Sequence, residues 1–158
     1  MEAKKTILAA VDGSQASENA IRYAGALAKL LNARVLLFHV VESEKVGYWL
    51  FIDKHFVKEL EKATAQILDR AKELLDAIGV EYTVESRQQK QATYLEIASA
   101  LEANPSIVAA TLGDRGLGLR EHKALGSTTD RVMHEVSKRG LPIPVIVVPA
   151  AGFRPLAT

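Results

Sequence analysis

The chain has no cysteine in its 158 residues. Disulfide staples, thiolate zinc sites and cysteine nucleophiles are therefore excluded at the outset. An excess of one charge is missing too. Twenty basic and 19 acidic side chains leave a formal net charge of +1, which gives no general attraction to nucleic acid or another polyanion. No apolar run approaches the roughly 18 residues of a membrane span. The N-terminal run in "MEAKKTILAAVDG" stops at Asp12 after about six residues, short of the roughly 7–15 of a secretory signal. A soluble, cytoplasmic protein is expected, with neither nucleic acid nor membrane as partner. The four histidines show no pair at ligand spacing on one helix, so no dedicated metal site is expected.

What is present is a strong alternation of apolar segments. "TILAAV" (residues 6–11) is a continuous apolar run ended by Asp12-Gly13-Ser14 and reads as a strand buried on both faces. Ala20, Ile21, Ala24, Leu27, Ala28 and Leu31 then follow the spacing of one helix face, which Ser14 or Ser17 can cap and Asn32 can end. "RVLLFHVV" (34–41) is a second strand. After the irregular "ESEKVGYWLFI", a long amphipathic helix carries Phe56, Leu60, Ile67, Ala71, Leu74 and Ile78, and Gly79 closes it. A third strand alternates Val80, Tyr82 and Val84, with one face less buried. A helix over residues 93–103 stops at Asn104-Pro105. "SIVAATL" (106–112) is a fourth strand, residues 127–138 a last helix, and "PVIVV", from Pro144 to Val148, a fifth strand at a sheet edge. Apolar strands alternating with helices predict an α/β fold, a doubly wound parallel sheet with helices on both faces.

The fourth strand feeds "LGDRGLGLREHKALGSTTDR" (112–131). Gly113 ends the strand, where a missing side chain would let a sugar or phosphate lie against the backbone. Gly116 and Gly118 allow positive φ, so that successive amides can form an anion nest. Gly126-Ser127-Thr128 opens the last helix, whose free N–H groups and dipole favour phosphate, with two hydroxyls as further donors. On pattern alone the same glycines also make a plain turn. A Walker loop is ruled out, because Ser127 follows Gly126 with no lysine between them, and no Rossmann fingerprint follows the first strand. Asp12 either makes an Asx turn or faces this loop across the crevice of an open α/β sheet. His39 reads as a satisfied core histidine, and His122, in the glycine loop, is more readily an ordinary loop residue than a phosphate contact. Asp114 and Glu121 are unhelpful charges in such a loop, offset by Arg115, Arg120 and Lys123. "YWLF" (48–51) either covers the core or forms a lid or interface patch.

Gly113-x2-Gly116-x9-Gly126-Ser127 resembles the Gly-x2-Gly-x9-Gly-Ser/Thr signature of nucleotide-binding universal stress proteins. The opening "KKTILAAVDGSQASENAIRYAGALAKLLNARVLLFHVVE" and the close "GSTTDRVMHEVSKRGLPIPVIVVP" are similar to that family as well. The resemblance covers residues 4–149 and implies one domain of this kind over 1–158, with 150–158 a loosely held tail. It implies a five-stranded sheet of order 3-2-1-4-5 with its switch point between strands 1 and 4. By the same resemblance Asp12 contacts a ribose, Val40 lines an adenine slot, and Leu112 and Gly113 border the ribose. Gly116, Gly126, Ser127 and Thr128 hold the phosphates of ATP or another adenine nucleotide, with Mg or Mn bridging them. A homodimer through the strand from Pro144 to Val148 is implied too.

Function then follows as a small regulatory, stress-response protein with at most slow ATP hydrolysis. The loop has no Walker lysine, no positioned base and no arginine finger. The chain departs from the family at Pro105-Ser106-Ile107, where an aspartate is common. It also departs in "RQQKQATY", where a glycine and a proline or alanine are usual, which leaves the choice of base open. A dimeric interaction module without nucleotide is the alternative. An adenylylating enzyme would carry an HIGH-type or Ser-Gly-Gly-x-Asp-Ser loop after the first strand, and "VDGSQAS" is neither.

Overall fold

The structure, a computed structural model, describes residues 3–42, 53–116 and 125–157. The Tyr48–Phe51 cluster lies outside the described residues, as do Gly118, Arg120, Glu121, His122 and Lys123. The elements in chain order are β1 (Thr6–Ala10), α1 (Gln15–Leu31), β2 (Arg34–Val41), α2 (Lys54–Ile78), β3 (Tyr82–Gln88), α3 (Thr93–Ala103), β4 (Ile107–Gly113), α4 (Ser127–Lys138) and β5 (Val145–Val148). The five strands form one sheet of order β3-β2-β1-β4-β5, parallel throughout. The chain winds outward from β1 in one direction and restarts at β4 in the other. The crevice beyond β1 and β4 is therefore the switch point, where open sheets of this kind take ligands.

The period of two along each strand separates the two helical layers. Ile7 and Ala9 of β1, with Val35 and Leu37 of β2, pack on Ile21, Ala24 and Ala28 of α1 and on Ala71 and Leu75 of α2. Leu8, Leu36 and Phe38 point the other way, onto Ile97 and Leu101 of α3 and Val132 and Val136 of α4. Each such large side chain, once buried, stabilises the fold by about 1.5–3 kcal/mol. Of the two serines able to cap α1, Ser14 does so, its Oγ accepting from Ser17 N–H at 3.1 Å. Asn32 closes α1 with φ 51° and Gly79 closes α2 with φ 81°.

Four strands differ from the sequence reading: β1 stops at Ala10 and β5 starts at Val145, each one residue short of the expected span, and β3 and β4 are displaced along the chain. β3 begins at Tyr82, because Val80 is spent packing against the layer of α1 and α2. Its Val84 is 37% exposed, since β3 is an edge strand that the helices cover incompletely. β4 runs from Ile107 to Gly113, one residue later than expected. Ser106 is held in a turn by Asn104 Oδ1, which accepts from Ser106 N–H at 3.0 Å and Oγ at 2.6 Å, while Gly113 pairs with Val148.

The start of the tail is held, contrary to expectation. Asn19 Nδ2 donates to Pro149 O at 3.2 Å and Ala150 O at 2.9 Å. Phe153 meets Tyr23 edge-on with ring centroids 5.0 Å apart. Ala150 N–H donates to Asp114 Oδ1 at 3.0 Å. The Asp114 carboxylate is thus a tie between the glycine loop and the tail, and not a charge set against a ligand. Asp114→Ala is expected to cost about 1–2 kcal/mol in denaturant unfolding and to speed amide exchange at Ala150, while Asp114→Asn, which keeps an acceptor oxygen, costs less. Among the described residues, no helix is long and apolar enough to cross a membrane.

Candidate functional site

At the switch point the chain leaves β1 for α1 and leaves β4 for the glycine loop, and a cleft of about 540 Å³ opens between the two turns. All eight residues singled out for a ligand line it: Asp12, Val40, Leu112, Gly113, Gly116, Gly126, Ser127 and Thr128. Leu60, Ala63, Thr64 and Ile67 of α2 form one wall. A smaller hollow of about 300 Å³ lies beside it between α1 and α2, rimmed by the ion pair of Arg70 Nε and Glu18 Oε1 at 3.2 Å.

Asp12 is fixed by its neighbours. Ser14 N–H donates to its Oδ1 at 2.8 Å, an Asx turn, and its own N–H donates to Ser17 Oγ at 3.1 Å. Ser17 Oγ in turn donates to Ala10 O at 3.2 Å. The Asx turn and the crevice position coexist, because the turn occupies only one carboxylate oxygen. The other, Oδ2, faces Gly116, where a Cβ would stand 3.1 Å from it.

The glycines also have packing roles that their spacing does not reveal. Gly116 is not among the described glycines of positive φ, which are Gly13, Gly79, Gly140 and Gly152. What it supplies is close approach to Asp12. The missing side chain of Gly113 points at α1 and not at the cleft. A Cβ there would lie 2.6 Å from Ala16 Cβ, 2.7 Å from Ala16 C and 2.9 Å from Ser17 N. Gly126 is the N-cap of α4, with φ −65° and ψ 149°. Its N–H is already used, donating to Asp114 O at 2.8 Å.

The donors left at this helix end are one turn further in. The first bond of α4 runs from Asp130 N–H to Gly126 O at 3.0 Å, and no side chain among the described residues caps the helix. The amides of Ser127, Thr128 and Thr129 therefore precede the helical ladder, at its positive end. Ser127 is exposed and Thr128 half-buried, both on the cleft. Thr129 is buried, and its Oγ1 donates to Gly113 O at 2.7 Å, locking α4 onto the end of β4. Sequence reasoning did not single out Thr129 or the structural use of Ser17. A hydroxyl in a helix start is too common to be distinguished without its partner.

At the other end of the cleft, the β1–β2 ladder closes with Val11 N–H donating to Phe38 O at 2.9 Å. Val40 and Leu112 are buried on the cleft floor. The Arg87 guanidinium lies 5.1 Å from the Phe38 ring centroid. Burial pushes Arg87 down, but hydrogen bonds and charge from Glu85 and Glu96 outweigh it and hold the group above its ordinary value. Thr93 Oγ1 donates to Glu42 Oε1 at 3.3 Å at the rim. Among the described residues, no three His, Asp or Glu side chains converge as a metal site would require.

A doubly wound parallel sheet whose switch-point cleft joins a fixed carboxylate, a glycine loop and a helix start defines a class of α/β protein. A profile of the universal stress protein family matches residues 4–149, and the chain belongs to that family. A universal stress protein of Mycolicibacterium smegmatis is 29% identical over 146 residues, covering 90% of this chain and 47% of that protein. The chain thus spans about half the length of that relative. Universal stress protein Sll1654 of Synechocystis is 28% identical over 148 residues, covering 92% of this chain and 85% of that one.

Among solved structures, the hypothetical protein MJ0577 superposes with a TM-score of 0.74 at 21% identity over 92% of this chain and 96% of that chain. A universal stress protein from Archaeoglobus fulgidus in complex with dAMP has a TM-score of 0.65 at 18% identity, covering 93% of this chain and 98% of its own. Another universal stress protein, in complex with cAMP, has a TM-score of 0.62 at 19% identity, covering 94% and 99%. The fold is shared with all three.

Proposed function

We propose that this chain is a cytoplasmic regulatory protein that binds ATP or a related adenine nucleotide in the β1–β4 crevice. One observation carries the proposal: Asp12 Oδ2, the backbone at Gly116 and the first turn of α4 meet at one cleft. The relatives in complex with dAMP and cAMP support an adenine nucleotide as the ligand class. In this reading Oδ2 of Asp12 accepts from the ribose hydroxyls, Val40 lines the adenine slot, and Leu112 and Gly113 border the sugar. Gly116 and Gly126 let the phosphates approach the backbone. The first-turn amides of α4, with the hydroxyls of Ser127 and Thr128, then donate to the phosphate oxygens. The residues fit a bridging Mg or Mn only as a guest of the nucleotide, drawing most of its ligands from phosphate and water.

Among the described residues, the outer edge of β5 pairs with no strand, and a two-fold partner strand is the commonest way to cover such an edge. We therefore assign the homodimer to β5. Nucleotide acts by its differential affinity for one conformation or dimer state. Among the described residues, none that lines the cleft is placed as a general base or arginine finger, so any hydrolysis is slow. Asp12→Ala is expected to weaken ATP binding about tenfold, as the loss of a charged hydrogen bond should. Calorimetric titration of the folded variant checks this, and unchanged affinity counts against the site.

A further inference from the structure

The imidazole of His39 is used on one nitrogen only. Nδ1 lies 2.6 Å from Val11 O. A carbonyl only accepts, so Nδ1 carries the proton, and in the neutral ring Nε2 then presents a lone pair. His39 is 8% exposed and lines the cleft. Its Nε2 has no hydrogen-bond partner among the described residues. Yet no buried side-chain nitrogen or oxygen is left unpartnered among them, so Nε2 is not sealed in the core, and the cleft is the open space that His39 lines. The contact also ends the β1–β2 ladder, because the ring takes the carbonyl that follows the Val11–Phe38 bond. One side of the ring thus shapes the floor, and the other leaves an acceptor for the ligand space.

From this geometry we infer that His39 is a ligand-selecting residue. Its Nε2 accepts a hydrogen bond from the bound molecule, so the cleft demands a donor there, either the 6-amino group of adenine or a ribose hydroxyl. The inference rests on the nucleotide reading above. It separates this chain's choice of base or sugar from the phosphate contacts, which are blind to both.

The test titrates ATP, ITP, 2′-deoxy-ATP and 3′-deoxy-ATP into the full chain and into its His39→Asn and His39→Gln variants by calorimetry. ITP replaces the 6-amino donor by a carbonyl, and each deoxy analogue removes one hydroxyl. Asp12 also accepts from the ribose, so the donor to His39 is named by the analogue that binds the wild-type chain about tenfold more weakly than ATP but binds His39→Asn as well as ATP does. Asparagine keeps an N–H near the position of Nδ1 and has nothing at Nε2, so His39→Asn loses the part of the discrimination that His39 supplies. Glutamine reaches the position of Nε2 with an oxygen, so His39→Gln retains part of it. Discrimination by His39→Asn as full as that of the wild type overturns the inference and leaves the nucleotide site standing, whereas equal binding of all four ligands by the wild type overturns it together with the ribose contact of Asp12. No binding of ATP by the wild type overturns both. Imidazole nitrogen shifts of the ligand-free protein give an independent reading. Protonated Nδ1 with bare Nε2 is expected, and the opposite tautomer overturns the inference whatever the titrations show.

Discussion

Gly113→Ala is expected to lower the melting temperature by about 5–15 °C, the equivalent of about 2–4 kcal/mol for a chain of this size. The added methyl would stand 2.6–2.9 Å from Ala16 Cβ, Ala16 C and Ser17 N. Two of these atoms are backbone in the first turn of α1, so no side chain can swing aside. Either α1 shifts off the end of β4 or β4 gives up its last pairing, with Val148. The bond from Thr129 to Gly113 O is strained in both cases. Gly126→Ala is the control, since its Cβ would come no nearer than 3.4 Å to Arg115 Cα, an ordinary contact. Thermal unfolding followed by circular dichroism separates the two. An unchanged midpoint for Gly113→Ala would show that the close approach of α1 to β4 is not what this glycine serves.

The second large effect falls on binding rather than folding. Gly116→Val is expected to weaken ATP affinity about 30–100-fold, or about 2–3 kcal/mol, with the melting temperature nearly unchanged. The nearest described atom to a Cβ at Gly116 is Asp12 Oδ2, at 3.1 Å. A branched side chain there displaces the carboxylate from its place and fills the space that phosphates need. The split matters, because a glycine of the loop that served only as a turn would lose stability and binding together.

Much of this was legible in the sequence. Continuous apolar runs mark β1, β2 and β4 because both faces of a central parallel strand are buried. Asn32 and Gly79 end helices because the left-handed cap conformation suits them. Thr93 and Ser127 begin helices where the pattern places them. The sheet order followed from the family resemblance, and the eight candidate residues do share one cleft.

What was not legible depends on partners distant in the chain. Spacing announces that Gly113 and Gly116 are unusual, but not that one abuts α1 and the other abuts Asp12. Asp114 reads as an ill-placed charge until Ala150 is seen donating to it. The tail reads as loose because Asn19 and Tyr23, which hold it, lie on a helix face more than a hundred residues earlier. His39 reads as core because its strand is apolar, and only the Val11 carbonyl shows which nitrogen is left over.

The measurement that bears most directly on the central claim is a calorimetric titration of the nucleotide-stripped wild-type chain with ATP and Mg²⁺, with Gly116→Val as the comparison. Saturable binding with a dissociation constant on the order of micromolar, about −8 kcal/mol, is the predicted result, together with its loss in the variant. A folded wild-type chain that gives no binding heat at any accessible concentration, and carries no nucleotide when purified, would contradict it.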